Sequence, residues 1–294
     1  MPSTPETEVL VTRPEIIGTP SDASAFGVVE APLSMFERLY NWPALRKAVI
    51  LVVLALAWEI GARTLDNALL LPTFADSMRA LAEGVVSGEI LHRLATSLKV
   101  LLLGYVAGIA LATILTAFGI FTRIGNDLLE TLTAMFNPLP AIALLPIALI
   151  WFGLGYGSLV FVLVHSVVWA VALNTHAGFM AVSPTMRMVG RNYGLSGPAY
   201  VTKLLIPAAL PAILTGLKIG WAFAWRTLIA SELVFGVSSG SGGLGWYIYE
   251  NKNTLEIANV FAGLLAVILI GLVVENLIFR VIERRTVRRW GMQS

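Results

Sequence analysis

The chain has 294 residues, of which 57% are hydrophobic and 13% charged, against roughly 25% charged in an ordinary globular domain. With a mean hydropathy of +0.79, this excludes a soluble enzyme or binding module and predicts an all-α polytopic membrane protein. A net charge of +2, its basic residues gathered at the ends of apolar stretches, excludes a nucleic-acid groove, and the lack of cysteine excludes disulfides, thiolate metal sites and a cysteine nucleophile.

Residues 1 to about 32 are rich in Pro, Ser, Thr and Glu without periodicity and read as a disordered tail. They lack the basic start and early apolar core of a signal peptide. Leu33, Phe36, Leu39 and Tyr40 fall at helical spacing beside Trp42, which suits a short helix in the membrane interface or one packed on the body of the protein. Six apolar stretches are long enough to cross a bilayer, near 46–64, 93–120, 128–151, 156–180, 208–235 and 257–282, since a span takes about 20 residues. Between the first two, Leu71-Pro72 opens an amphipathic segment to Val86 that is expected to lie along one membrane surface. The chain thus divides into a tail with interfacial helix (1–45), a membrane domain (46–283) and a basic tail (284–294).

The fourth and fifth spans are separated by a polar, turn-rich stretch. Ser183 is placed to cap a helix that starts at Pro184 and ends at Gly194 in the left-handed conformation. Arg187 and Arg191, four apart, share one face of it. Ser196-Gly197-Pro198 then starts a second helix leading to Pro207 and Pro211. The result is a helix-turn-helix knob over 184–206, or else a re-entrant or simple connecting loop. Basic residues accumulate at this end of the spans, with Arg38, Arg46, Lys47, Arg123, Lys203, Arg280 and Arg284 joining Arg187 and Arg191. The positive-inside rule therefore puts the knob and both termini in the cytoplasm.

Few residues within the spans could carry chemistry. Asn137-Pro138-Leu139-Pro140 and Pro146 interrupt the third span. Freed carbonyls at membrane depth are tolerated only against protein or a water-filled cavity, so this stretch either lines a pathway or forms a kink that shapes packing. Arg226, about 21 Å into the fifth span, either attracts an anionic solute or pairs with Glu59 or Glu275. Glu232, six residues on and rotated away, is expected to hold helices together near an outer gate. Glu59 and Glu275 receive structural readings, and Lys218 is close enough to the cytoplasmic interface to reach it. His92, His165 and His176 show no metal-binding spacing and read as packing or hydrogen-bonding residues. Gly240-Ser241-Gly242-Gly243-Leu244-Gly245 matches G-x-G-x-x-G formally but follows a span instead of a strand, and reads as a tight extracytoplasmic turn. No Walker-type loop is present, and no internal repeat suggests a carrier built from two related halves.

A small helix, a Gly, about a dozen residues and then IPAALPAILTGLKIG from Ile206 to Gly220 resemble the loop by which binding-protein-dependent ABC importer permeases dock on their ATPase. The run from Ile206 to Gly220 is similar to the nitrate/sulfonate/taurine branch of that family. Trp58-Glu59, Leu71-Pro72, Pro138-Leu139-Pro140, Trp151-Phe152-Gly153-Leu154-Gly155, Ser231-Glu232-Leu233 and Gly243-Leu244-Gly245 extend it over most of the chain. The resemblance implies six transmembrane helices with a cytoplasmic coupling loop, in the inner membrane. It also implies a second permease copy, ABC ATPase subunits that bind ATP and magnesium, and an extracytoplasmic solute-binding protein, with no cofactor in this chain. Docking would fall to Arg187, Met188, Val189, Gly190, Arg191, Tyr193 and Gly194. Where the family's loop opens Glu-Ala-Ala, this chain has Met188-Val189-Gly190, so docking is expected to depend on shape and not on an acidic contact. The competing reading is an ion-coupled carrier or channel that acts alone.

Overall fold

The computed structural model describes residues 40–235 and 242–288, and every described element is helical. The expected tail over 1–32, the interfacial helix up to Leu39, and the basic tail from Arg289 lie outside the described residues. Contacts divide the chain at Leu54 into two units. In the first, Arg46 stacks its guanidinium 5.5 Å over the Tyr40 ring.

Among the described residues, five helices are long and apolar enough to cross a membrane: α1 (Pro43–Leu65), α3 (Glu89–Phe121), α6 (Tyr156–Met180), α8 (Gly197–Val234) and α10 (Ile257–Thr286). The bent pair α4 (Arg123–Phe136) and α5 (Leu145–Phe152), with a 3-10 turn between them, changes direction by 89° and is a sixth candidate if the pair counts as one broken span. Shorter helices complete the chain: α2 (Phe74–Val86), α7 (Pro184–Asn192) and α9 (Leu244–Asn253).

The core is the packing of α3 and α8 on α6. Lipid tails are as apolar as the helix faces, so spans associate by close approach of small residues. Helix α3 presents Gly104, Gly108, Ala112 and Thr116 in a buried row to α6. A Cβ on Gly108 would stand 2.6 Å from Val167 Cβ, and one on Gly104 would collide with Leu163. Helix α8 packs on α6 as closely, and a Cβ on Gly216 would come within 2.8 Å of Asn174 Cβ.

Two expectations change here. The fifth span, expected near 208–235, is not a separate helix: α8 runs unbroken for 38 residues from Gly197 and joins that span to the second helix of the knob. A π-helical turn at Val201–Leu205 precedes Pro207, whose missing N–H and ring an α-turn would not accommodate freely. In the glycine-rich stretch expected as a tight turn, Gly240 and Ser241 lie outside the described residues, and Gly243 caps a ten-residue helix, α9, which the sequence reading does not contain.

The Glu59 reading as a structural residue fits its surroundings. Its carboxylate takes Arg63 at 2.7 Å and the Ala75 N–H, in the first turn of α2, at 3.1 Å. Trp58 beside it donates to Pro72 O at 3.0 Å and packs against Phe74 and Phe261.

Candidate functional site

The interrupted third span forms a joint. Helix α4 ends at Phe136, Pro140 is extended (φ −61°, ψ 120°), and a 3-10 turn at Ala141–Leu144 leads into α5 with Pro146 in its first turn. Prolines in succession remove the donors that would continue α4, so the axis turns. The turn opens a cavity of about 370 Å³ against α6 and α8. Asn137, Pro138 and Pro140 line it from the joint, His165, Ser166 and Trp169 from α6, and Arg226 and Thr227 from α8.

The structure therefore brings Arg226 and the proline joint to one cavity. Arg226 is exposed and makes no hydrogen bond or ion pair with the described residues. The alternative in which it pairs with Glu59 or Glu275 does not occur, since Glu59 holds Arg63 and Glu275 holds Lys218 Nζ at 2.9 Å. Lys218 thus pairs across to α10, where the sequence suggested only reach toward the interface.

His165 and Trp169 are the cavity residues that sequence reasoning missed. They sit one helical turn apart on α6 and form an aromatic cluster with Phe136 at the end of α4, with Phe136 stacked on Trp169 at 5.5 Å. Both ring nitrogens of His165 and Nε1 of Trp169 are buried without a hydrogen-bond partner among the described residues. Of the two roles open to it, packing or hydrogen bonding, His165 takes packing. Two polar-tipped rings at i and i+4 inside an apolar span were the available signal. Ser166 and Thr227 hydroxyls, 3.0 Å apart, tie α6 to α8 at the same level.

Glu232 lies elsewhere, at the far end of α8 from α7. It is fully buried (0% exposed). Ser97 of α3 lies 2.9 Å from both carboxylate oxygens, and the Gly245 N–H donates to Oε2 at 2.8 Å. The Leu244 N–H donates to Ser97 Oγ at 2.9 Å. Two of the N–H groups that open α9, which have no partner inside the helix, are thereby bonded, and three helices meet on one carboxylate. Beside it, Arg93 of α3 reaches Glu250 at 2.8 Å and Gly242 O at 3.4 Å.

At the opposite end, α7 has the caps its sequence foretells. Ser183 accepts from Met186 N–H at 3.3 Å. Gly194 has φ +74°, and the Leu195 and Gly194 N–H groups bond Gly190 O and Arg191 O, the double wrap that left-handed glycine permits. The arginine pair is split. Arg191 is exposed, but Arg187 donates to Val182 O at 3.0 Å and Phe179 O at 2.5 Å, bracing α7 against the end of α6. Gly190 is buried because a Cβ there would approach Leu204 Cδ1 to 2.5 Å. Beside Arg191, the large side chains exposed here are apolar or aromatic: Met186, Met188 and Val189 of α7, and Tyr193 just past its end, the last 83% exposed.

A family model described as the inner membrane component of binding-protein-dependent transport systems matches residues 104–288, which include the cavity and α7. The chain is 26% identical over 254 residues to a putative aliphatic sulfonates transport permease of Bacillus subtilis, covering 86% of this chain and 89% of that one. It is 27% identical over 257 residues to a taurine transport system permease of Escherichia coli (84% and 91% covered). A nitrate import permease of Synechocystis is 28% identical over 261 residues (84% and 90%). With six candidate spans, a capped helix-turn-helix between the fourth and fifth, and these matches over most of its length, the chain belongs to the family of inner-membrane ABC transporter permeases that work with binding proteins.

Proposed function

We propose that the chain is the translocating subunit of an ATP-driven importer for a small anionic solute of the nitrate, sulfonate, taurine or organic-carboxylate class. The observation that carries this reading is Arg226: a guanidinium without a counter-ion, in a cavity formed by the broken span. Ionisable groups at membrane depth are costly and are kept where they act on a solute path or a partner. An oxyanion would supply the acceptor that Arg226 lacks, and substrates named for the relatives are anions or carry a sulfonate.

ATP and magnesium belong to separate ATPase subunits, which dock on the exposed apolar surface of α7. Residues Met188, Val189 and Tyr193 make the contact, Gly190 allows α7 to seat on α8, and Arg187 ties it to α6. Because α8 is one helix from Gly197 past Arg226, movement of the knob tilts the cavity wall directly, switching access between the two membrane faces. Two permease copies form the path, an extracytoplasmic solute-binding protein delivers the solute, and both termini lie in the cytoplasm. Glu232 holds the outer helix α9 as part of the outer gate.

The test is uptake of labelled nitrate, taurine and an alkanesulfonate by vesicles holding the chain with its ATPase and binding protein. Uptake is expected to require ATP hydrolysis and to fall at least tenfold in Arg226→Gln. ATP-independent uptake by the chain alone would favour the stand-alone carrier, and normal anion uptake by Arg226→Gln would remove the solute role.

A further inference from the structure

A second cavity, of about 330 Å³, lies on the α7 side of the joint and shares Asn137 and Pro138 with the first. Its walls come from α4 and α6 and include Glu130, Thr133, Leu173 and His176. Thr133 and His176 are 7% and 9% exposed, and Thr133 Oγ1 and His176 Nε2 have no hydrogen-bond partner among the described residues. Buried polar atoms are almost always bonded, so two unpartnered ones on one cavity point to an occupant with polar atoms of its own. Along α6, His165, Trp169, Leu173 and His176 stand at i, i+4, i+8 and i+11, on one face of the helix, with about 16 Å between the two histidines. The cavities thus follow one another along one side of α6, with the Asn137-Pro138 joint between them.

We infer that the second cavity is a release-side subsite for the same small oxyanion, an inference that depends on the anionic-solute reading above. The Thr133 hydroxyl and a His176 N–H take over the oxyanion oxygens once the solute has passed the joint. Glu130 is exposed, and its Oε1 accepts from the Asn126 amide at 3.0 Å. At the rim of the cavity its negative charge keeps an anion's stay short.

The lack of cysteine makes the test direct. Single cysteines Thr133→Cys and Thr227→Cys report the second and first cavities in the reconstituted transporter, and Leu173→Cys, at a 45% exposed position, is the second probe of the inner cavity. Labelling by a membrane-impermeant thiol reagent is timed with and without nitrate, and with and without methanesulfonate. Either anion is expected to slow labelling at 133 or 173 about fivefold or more, and His176→Leu to abolish that protection while His176→Gln retains part of it. If position 227 is protected and neither 133 nor 173 is, the second cavity is off the path and the first reading stands. If none of the three is protected, both readings fall.

Discussion

Replacing Glu232 by Ala removes the carboxylate on which α3, α8 and α9 converge. The Gly245 N–H loses its acceptor, and the Ser97 hydroxyl loses both oxygens while it still accepts from Leu244 N–H. Two buried donors left unsatisfied cost about 1–3 kcal/mol each, and the side chain, fully buried, leaves a cavity. The sum is about 3–5 kcal/mol. Glu232→Gln keeps the volume and an acceptor for Gly245, so its cost is about 1 kcal/mol. Thermal unfolding of the detergent-solubilised protein, followed by tryptophan fluorescence at one fixed heating rate, reads the difference. At about 2–4 °C per kcal/mol for a chain of this order, Glu232→Ala lowers the midpoint by roughly 6–20 °C and Glu232→Gln by roughly 2–4 °C. A Glu232→Ala midpoint within 2 °C of wild type would show that the contacts do not hold α9. Equal loss in both variants would show that charge, not hydrogen bonding, is what matters.

Arg187→Ala should free α7 from the two carbonyls at the end of α6, a loss of about 1–3 kcal/mol, seen as faster tryptic cleavage after Arg191 with little change in overall unfolding. Gly190→Val drives a side chain into Leu204 and is expected to abolish ATPase co-purification while the spans remain assembled. Cysteines at Met188 and Tyr193 should crosslink to the ATPase in a nucleotide-dependent way, and no crosslink in an assembled complex would refute docking at α7. The Lys218–Glu275 pair is half exposed, so a double-mutant cycle in detergent should return a coupling of only about 0–1 kcal/mol.

Spans, caps and the left-handed glycine were legible because each depends on neighbours in sequence. Twenty apolar residues declare a span, and Ser183 and Gly194 terminate α7 through bonds no more than five residues long. The Pro138-Pro140 pair announced a break, though not its 89° angle, which is decided by what α6 and α8 leave room for. The helix α9 escaped notice because its first N–H groups are bonded from Ser97 and Glu232, 147 and 13 residues away, and no local cap marks it.

Which charge meets which was not legible at all. The sequence offered Arg226 either Glu59 or Glu275 as a partner and Lys218 none, and only the approach of α8 to α10 selected Lys218 with Glu275 and left Arg226 lining a cavity. The histidines behaved likewise. Their α6 spacing was in the chain from the start, but an apolar neighbourhood says nothing about whether a ring nitrogen has found a partner. Sequence by itself determined the long helices, the capped turn between the fourth and fifth of them and that the chain lives in a membrane, because those follow from short-range backbone chemistry and apolar length. Tertiary structure alone decided which polar groups were paired and which were left without a partner among the described residues, because that depends on side chains from distant spans coming within about 3 Å of one another.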